Sequence, residues 1–390
     1  MIMNYEMKEK ELEVFFPETV DTQNADEVKN KAFAIAEETN PGTIIINLND
    51  TKYVSSAGLR AILAIRKEFP ATSLKGVGPE VYEILEMTGF TQMLEIEKKL
   101  REVSVEGLEE IGHGATGIVY RLGDDRVLKI FFPMIGEQGI KNEIKISKAA
   151  FVSGITTAIP YEVVKCGDSL GTVYEKLSGR TYAEMIHDKE TDLTEAVRKY
   201  ALFMREMNHV EVDPKLFPSM KEKYVNTVAT LTMLDPKVQE ILKIIIGNVP
   251  DAHTFIHGDF HPKNIMLCDG EPILIDMGEA SYGHPIFDIM GLGAVRTMLN
   301  AFPGENDTVG FIGLSRTEVF NSWDVLIATY FDYLSDEERK KAEGVCLLYS
   351  CVRALTLMLM FPACEVQIPP LSELVINLYN EFGYDLSFFR

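Results

Sequence analysis

His257-Gly258-Asp259-Phe260-His261-Pro262-Lys263-Asn264, followed after a turn at Cys268-Asp269-Gly270 by the β-rich run Pro272 to Ile275 that ends in Asp276, decides how this chain is read. A hairpin returns its second strand to the start of its first, so Asp259, Asn264 and Asp276 converge. Asp259 suits the acceptance of a proton from an attacking hydroxyl. Asn264 and Asp276 offer the hard oxygen ligands that Mg²⁺ takes. A rival reading lines His257, Asp259 and His261, at spacing two, along one strand face as transition-metal ligands. Pro262 interrupts that strand, and the pieces upstream then have no role.

Upstream, Gly112-x-Gly114-x-x-Gly117 is a pattern that ordinary turns also contain. The residues after the third glycine are more telling. Ile118, Val119 and Tyr120 run into a turn at Gly123-Asp124-Asp125 and resume as Val127, Leu128 and Ile130, which is a hairpin and not a strand opening a helix. A glycine-bearing hairpin lets backbone N–H groups approach a phosphate closely. Lys129 sits inside the apolar run VLKIFF, where an ammonium is costly unless it is paired or reaches a ligand. An edge strand would instead let it snorkel to the surface. Glu143, in the helical pattern IKNEIKISKA, is the expected partner, with Glu137 close enough to compete.

The chain has 390 residues, 46% hydrophobic and 25% charged, which excludes a disordered protein and suggests two or more domains. A formal charge of -21, from 38 Lys and Arg against 59 Asp and Glu, leaves no basic surface for a nucleic acid. Cys166, Cys268, Cys346, Cys351 and Cys364 are odd in number and scattered, so they are expected to be buried thiols in a reducing compartment. The start, MIMNYEMKEKELEV, lacks the apolar run of an export signal, and a cytoplasmic location is expected. Val345 to Cys364 approaches the length of a membrane span, but Arg353 at its middle and Pro362 near its end favour a buried helix and no membrane association.

Up to about residue 100, ELEVFF, Asn24 to Glu38, TIIINL, Ser56 to Phe69, a run near Leu74 and Glu80 to Met87 alternate strand and helix patterns, which defines a small α/β domain. From Leu108 the rhythm becomes strand and glycine turn. After Gly179 it becomes helical, with one strand-like patch at Glu271 to Ile275. The expectation is a domain over 1–100 and another over 101–390, the latter split into a β-rich lobe to about 178 and a helical lobe beyond. EIEKKLREVSVEG between them has no Pro, Gly or Ser cluster, so the joint reads as short.

The ordered set of glycine loop, Lys129, Glu143, Tyr174-Glu175-Lys176-Leu177, HGDFHPKN and Ile275 to Gly278 resembles the protein-kinase-like superfamily. HGD-x-HP-x-N and the later Gly283-His284-Pro285-x-x-Asp288 are similar to the aminoglycoside and choline kinase type of phosphotransferase. That resemblance implies an α+β two-lobed fold, ATP and Mg²⁺ in the cleft, and γ-phosphoryl transfer to a hydroxyl. It makes Asp259 the catalytic base, Asn264 and Asp276 the metal ligands, and Lys129, partnered by Glu143, the clamp on the α and β phosphates. Gly112, Gly114 and Gly117 cover the nucleotide, and backbone near Glu175 and Leu177 faces the adenine. His261 stands where protein kinases commonly carry lysine, and only 12 positions separate Asp276 from Asp288, too few for a peptide platform. The implied acceptor is therefore a small amino-sugar, amino alcohol or sugar. Glu184 and Asp188 would suit a cationic amine, although in so acidic a chain they also read as solvated surface acids. His209 reads as a packing residue.

Val54-Ser55-Ser56-Ala57-Gly58-Leu59-Arg60-Ala61-Ile62-Leu63 follows a buried strand and opens a helical period, where a serine first serves as N-cap. This stretch and GPEVYEILEMTGFTQMLEI resemble the STAS domain family of anti-sigma factor antagonists, over nearly all of residues 9 to 99. The resemblance implies a protein partner and places the family's phosphorylated serine on Ser56, although Ser55 stands where an aspartate is usual. Two other functions fit the same residues: a nucleotide-sensing interaction protein that signals without phosphoryl transfer, and a protein kinase acting on Ser56 or on a partner.

Overall fold

The computed structural model describes residues 3–114, 116–301, 312–360 and 368–390. The chain divides into two compact units, Met1–Val103 and Ser104–Arg390.

In the first unit a sheet runs in the order Tyr5–Lys8, Glu11–Phe15, Thr43–Asn47, Thr72–Val77, Glu95–Lys98. The first pair is antiparallel and the others are parallel, as βαβ connections require. Leu12 registers with Ile44, and Ile46 with Leu74, so alternate residues of neighbouring strands bury one apolar face. The helices Ala25–Thr39 and Ser56–Glu68 cover that face with Val28, Ala32, Ile62 and Ile65. Burial of each Val or Ile side chain among these contributes about 1.5–3 kcal/mol, and the Ala32 methyl less. The helices Ala25–Thr39, Ser56–Glu68 and Pro79–Met87 lie within a residue or two of their expected spans. The edge strands Tyr5–Lys8 and Glu95–Lys98 add to the expected pattern. Tyr5–Lys8 is exposed at every position, so its apolar Tyr5 and Met7 bury little and backbone pairing holds it on the sheet.

The second unit opens with strands in the spatial order Pro160–Cys166, Ser169–Glu175, Arg126–Phe131, Gly117–Arg121, Glu110–His113, all antiparallel. Gly136–Val152 packs against Pro160–Cys166 and Ser169–Glu175. The remainder is mainly helical: Leu193–Met207, Met220–Thr230, Pro236–Gly247, Ile286–Ala301, Arg316–Tyr330, Asp336–Met360 and Ile368–Phe382. Beyond the expected strand at Glu271–Leu274 lie four further short ones, Arg180–Thr181, Thr254–Ile256, Ile265–Cys268 and Ser281–Gly283. They are too short for periodicity to announce. Ile265–Cys268 and Glu271–Leu274 form the expected hairpin, joined by Asp269 and Gly270 with φ of 50° and 87°, the doubly positive turn that suits strand twist.

Asp336–Met360 lies along Ile286–Ala301. The approach depends on Gly293, since a Cβ there would stand 2.0 Å from Ser350 Oγ. No described helix is long and apolar enough to cross a membrane. Cys346 and Cys351 are buried free thiols, as expected. Cys166 and Cys268 correct that expectation: each ends a strand at a hairpin turn and is only half-buried. Cys364 and Pro362 lie outside the described residues.

Candidate active site

Lys129 lies on Arg126–Phe131, registered between Val119 and Thr172, and is 8% exposed. Its Nζ donates to Glu143 Oε1 at 2.9 Å and to Asp276 Oδ1 at 3.1 Å. Glu143, buried on Gly136–Val152, also accepts from the Tyr174 hydroxyl at 3.0 Å. Glu137, the competing carboxylate, instead pairs with Lys141 four residues on, at the exposed start of the same helix. Burial alone would depress the Lys129 ammonium, but Asp276 and Glu143 outweigh it and hold the group above the ordinary lysine range. A buried cation with two carboxylates in contact is a fixed charge, and Asp276 is the more open of the two, its side chain 39% exposed.

Gly117 has no room for a side chain, because a Cβ would stand 2.1 Å from Ile130 O on the paired strand. Gly112 and Gly114 lie in the strand and turn before it, with the Gly114 N–H on Gly117 O at 2.9 Å. Glu175 ends its strand with its N–H on Ile159 O at 2.9 Å. The following Lys176 N–H bonds to Asp125 O at 2.9 Å, which anchors the segment leading into Leu177.

Asp259 is half-buried in the turn after Thr254–Ile256. Asn264 Nδ2 donates to its Oδ2 at 3.2 Å and to its backbone carbonyl at 3.0 Å, and His261 Nε2 lies 3.3 Å from the same Oδ2. Its Oδ1 faces Arg353 Nη2 at 3.7 Å. Burial pushes the carboxyl up, but His261, Arg353 and His257 more than offset this and hold it well below the usual carboxylate range. Asp259 is thus ionised at neutral pH.

The register Ile265 with Leu274, and the Ile275 N–H on Asn264 O at 2.9 Å, bring Asn264 beside the segment ending in Asp276. Asp276 has φ 61°, a conformation costly for a non-glycine residue that clusters at functional positions. Because the Asn264 amide nitrogen is committed to Asp259, its oxygen is the atom left for a cation. The amide oxygen and the open Asp276 carboxylate are donors that fit Mg²⁺.

The histidines of this segment serve the backbone. His257 Nδ1 accepts the Asp259 N–H at 3.3 Å and its Nε2 bonds Ile275 O at 3.1 Å, while His261 Nδ1 accepts the Lys263 N–H at 3.3 Å. Their nitrogens are occupied, against a transition-metal role, and among the described residues no three His, Cys, Asp or Glu side chains are grouped to hold a metal.

Sequence reasoning marks Asp288 without giving it a role. It is buried, and its carboxylate accepts the His257 and Gly258 N–H groups at 3.2 and 2.7 Å and Asn208 Nδ2 at 2.7 Å. Asn208 is braced in turn by the Tyr330 hydroxyl at 3.0 Å, and the Tyr200 hydroxyl holds Phe260 O at 2.6 Å. His209 corrects its expectation: it is exposed, its Nδ1 contacts Arg205 O, and the packing residue is Asn208 one position earlier. Glu184 closes a capping box with Thr181, and Asp188 pairs with Arg180, which also holds Glu190. In the first unit Ser55 is the N-cap, accepting from the Ala57 and Gly58 N–H groups at 3.2 and 3.4 Å, and Ser56 is the exposed first residue of the helix. Two surface cavities, of about 410 and 550 Å³, are lined by neither Lys129 nor Asp259 nor Asp276.

A strand-held lysine, its helix carboxylate and an aspartate-bearing hairpin in one cluster define a kinase-like phosphotransferase fold. The chain belongs to the phosphotransferase enzyme family, whose model matches residues 107–310, and its first unit is a STAS domain, matched over residues 3–103. Solved structures with a similar fold include aminoglycoside phosphotransferase APH(2'')-Ib with ADP bound, at 16% identity over 77% of this chain and 99% of that one, TM-score 0.45. The gentamicin complex of APH(2")-IIa has 17% identity over 76% and 95%, TM-score 0.45. The amicoumacin kinase hAmiN with AMP-PNP, Ca²⁺ and Ami has 18% identity over 76% and 92%, TM-score 0.42. No curated protein matches the chain.

Proposed function

We propose that the Ser104–Arg390 unit transfers the γ-phosphoryl group of ATP to a hydroxyl of a small molecule, and that the STAS domain docks a protein partner or gates the cleft. The contact that carries this reading is Lys129 Nζ between Glu143 Oε1 and Asp276 Oδ1, at 2.9 and 3.1 Å. It sets a cation for the α and β phosphates beside the carboxylate suited to the metal. Asn264 and Asp276 would hold Mg²⁺, which supplies charge neutralisation on the phosphates when bound. Asp259 takes the proton of the acceptor hydroxyl as the new oxygen–phosphorus bond forms, the bond from γ-phosphorus to the bridging oxygen breaks, and ADP leaves. Asp288 and Asn208 keep the Asp259 turn in place. Backbone at Glu175 and Leu177 faces the base, and the Gly112 to Gly117 turn covers the phosphates. Ser56, exposed at a helix N-terminus, is the residue suited to regulatory phosphorylation, since a phosphate is tolerated there electrostatically yet changes a docking face.

The test is ADP release by the full chain with ATP and Mg²⁺ over amino-sugars, amino alcohols, sugars and their acids. Asp259→Asn is expected to lower turnover about 10²–10⁴-fold while nucleotide affinity stays within about twofold. Turnover by Asp259→Asn equal to that of the parent would remove Asp259 as the base.

A further inference from the structure

The acceptor end of this site holds two cations, Arg353 and Lys223, as well as acids. The two oxygens of Asp259 face different groups: Asn264 and His261 occupy Oδ2, and Arg353 flanks Oδ1. The oxygen left to meet a hydroxyl is therefore the one beside a guanidinium. Arg353 comes from the middle of Asp336–Met360, one turn beyond Ser350, where the Gly293 crossing brings that helix close. Its side chain is only 17% exposed, yet its contacts are loose: Asp259 at 3.7 Å and the Tyr224 hydroxyl at 3.4 Å. Tyr224 is itself stacked on Phe287, with ring centroids 5.3 Å apart and planes within 10°. A guanidinium has five N–H donors and prefers paired oxygens at about 2.7–2.9 Å, so these contacts leave most of its capacity unmet. Lys223, next to Tyr224 on Met220–Thr230, adds a second, half-exposed cation paired with Glu279. The acids that would have received an amine are already engaged: Glu184 caps its own helix, and Asp188 and Glu190 hold Arg180.

Resting on the phosphotransferase reading above, we propose that the acceptor is a hydroxyl compound bearing an anionic oxyacid group, a carboxylate or a phosphate, bound by Arg353 with Lys223 at the rim. A molecule meeting both Asp259 Oδ1 and Arg353 holds its hydroxyl and its anionic group within roughly 9 Å of each other. Three-carbon acids and sugar acids meet that limit.

The experiment uses acceptors matched in shape and different in charge: glycerate, glycerol and 3-aminopropane-1,2-diol, and glucuronate, glucose and glucosamine. Each is assayed with the full chain, ATP and Mg²⁺ by ADP release. The expected result is a kcat/KM for the acid at least about tenfold above its neutral and cationic counterparts, the scale of one charge-assisted hydrogen bond. Arg353→Gln is expected to raise KM for the acid about tenfold and erase the acid-over-neutral preference, whereas Arg353→Lys keeps part of it. A preference for the amine overturns the inference, as does an Arg353→Gln variant with unchanged discrimination. Thermal shift with glucuronate and with inorganic phosphate, in the presence of Mg²⁺ and AMP-PNP, is the second arm, and stabilisation of the parent but not of Arg353→Gln is expected. If no acceptor turns over, the phosphotransferase reading fails, and equal shifts for parent and variant then reject the anion site as well.

Discussion

Replacing Lys129 by methionine removes the cation from a pocket that keeps its carboxylates. Glu143 is 6% exposed and retains only the Tyr174 hydroxyl among its described side-chain contacts. Breaking a buried ion pair from one side costs about 3–5 kcal/mol. Water at the half-open Asp276 relieves part of the strain, so the lower end, about 3 kcal/mol, is expected. Trp323 gives a clean reporter: it is the sole tryptophan, fully buried on Arg316–Tyr330, and it belongs to the Ser104–Arg390 unit. In urea titrations followed by its fluorescence, a slope near 3 kcal/mol/M converts that loss to a midpoint about 1 M lower at pH 7. Burial already holds the Glu143 carboxyl above the ordinary 4.5 with Lys129 in place, and loss of the ammonium pushes it further up. The penalty is therefore present above that value, and the gap to the parent narrows as pH falls toward it. Lys129→Met combined with Glu143→Gln, which deletes the stranded charge, recovers part of the loss. A midpoint within about 0.3 M of the parent would refute the ion-pair account, and so would a double variant no more stable than the single one.

Three further expectations concern other parts of the chain. His284 is buried beside Phe389 and is pulled down to about 4 from the ordinary 6.5 by burial, so the stability it contributes is full above 6.5 and lost as pH falls toward 4. At about 1.4 kcal/mol per unit this is about 3 kcal/mol. His284→Asn should flatten the Trp323 unfolding midpoint across that window, and an unchanged slope would contradict it. Gly117→Ala, facing Ile130 O at 2.1 Å, should distort the hairpin by about 1–3 kcal/mol and weaken nucleotide binding, read by titration with AMP-PNP. In the STAS domain, amide exchange along Ser56–Glu68 should accelerate in Ser55→Ala, which loses a cap worth about 1 kcal/mol, and stay near the parent in Ser56→Ala. The reverse order would assign the cap to Ser56.

What the sequence discloses here is what local pattern controls. The Asp259 to Asp276 hairpin, the Lys129 strand and the Ser56–Glu68 helix are each specified by residues within one turn or one strand of each other. Choosing between Glu137 and Glu143 already needs the tertiary structure, because both lie on the face of the helix that carries Ile140. Only the position of the helix start shows that Glu137 meets solvent. The roles of Asn208, Asp288 and Arg353 lie beyond local pattern. Their contacts span 80 residues for Asn208 with Asp288 and 129 for Arg353 with Tyr224, and they depend on how helices cross. Arg353 does leave a trace, as the one charge in the apolar run that argues against a membrane span.

The Asp269-Gly270 turn has a role out of proportion to its exposure. It lies about 13 Å along the strands from the ends that carry Asn264 and Asp276, yet it alone sets which residue of one faces which residue of the other. Side chains on the solvent side of this ribbon can be exchanged freely, whereas a single inserted residue at its tip would swing one donor to the far side. The turn works as a ruler, and indels there should be far more damaging than substitutions on the solvent side of the strands.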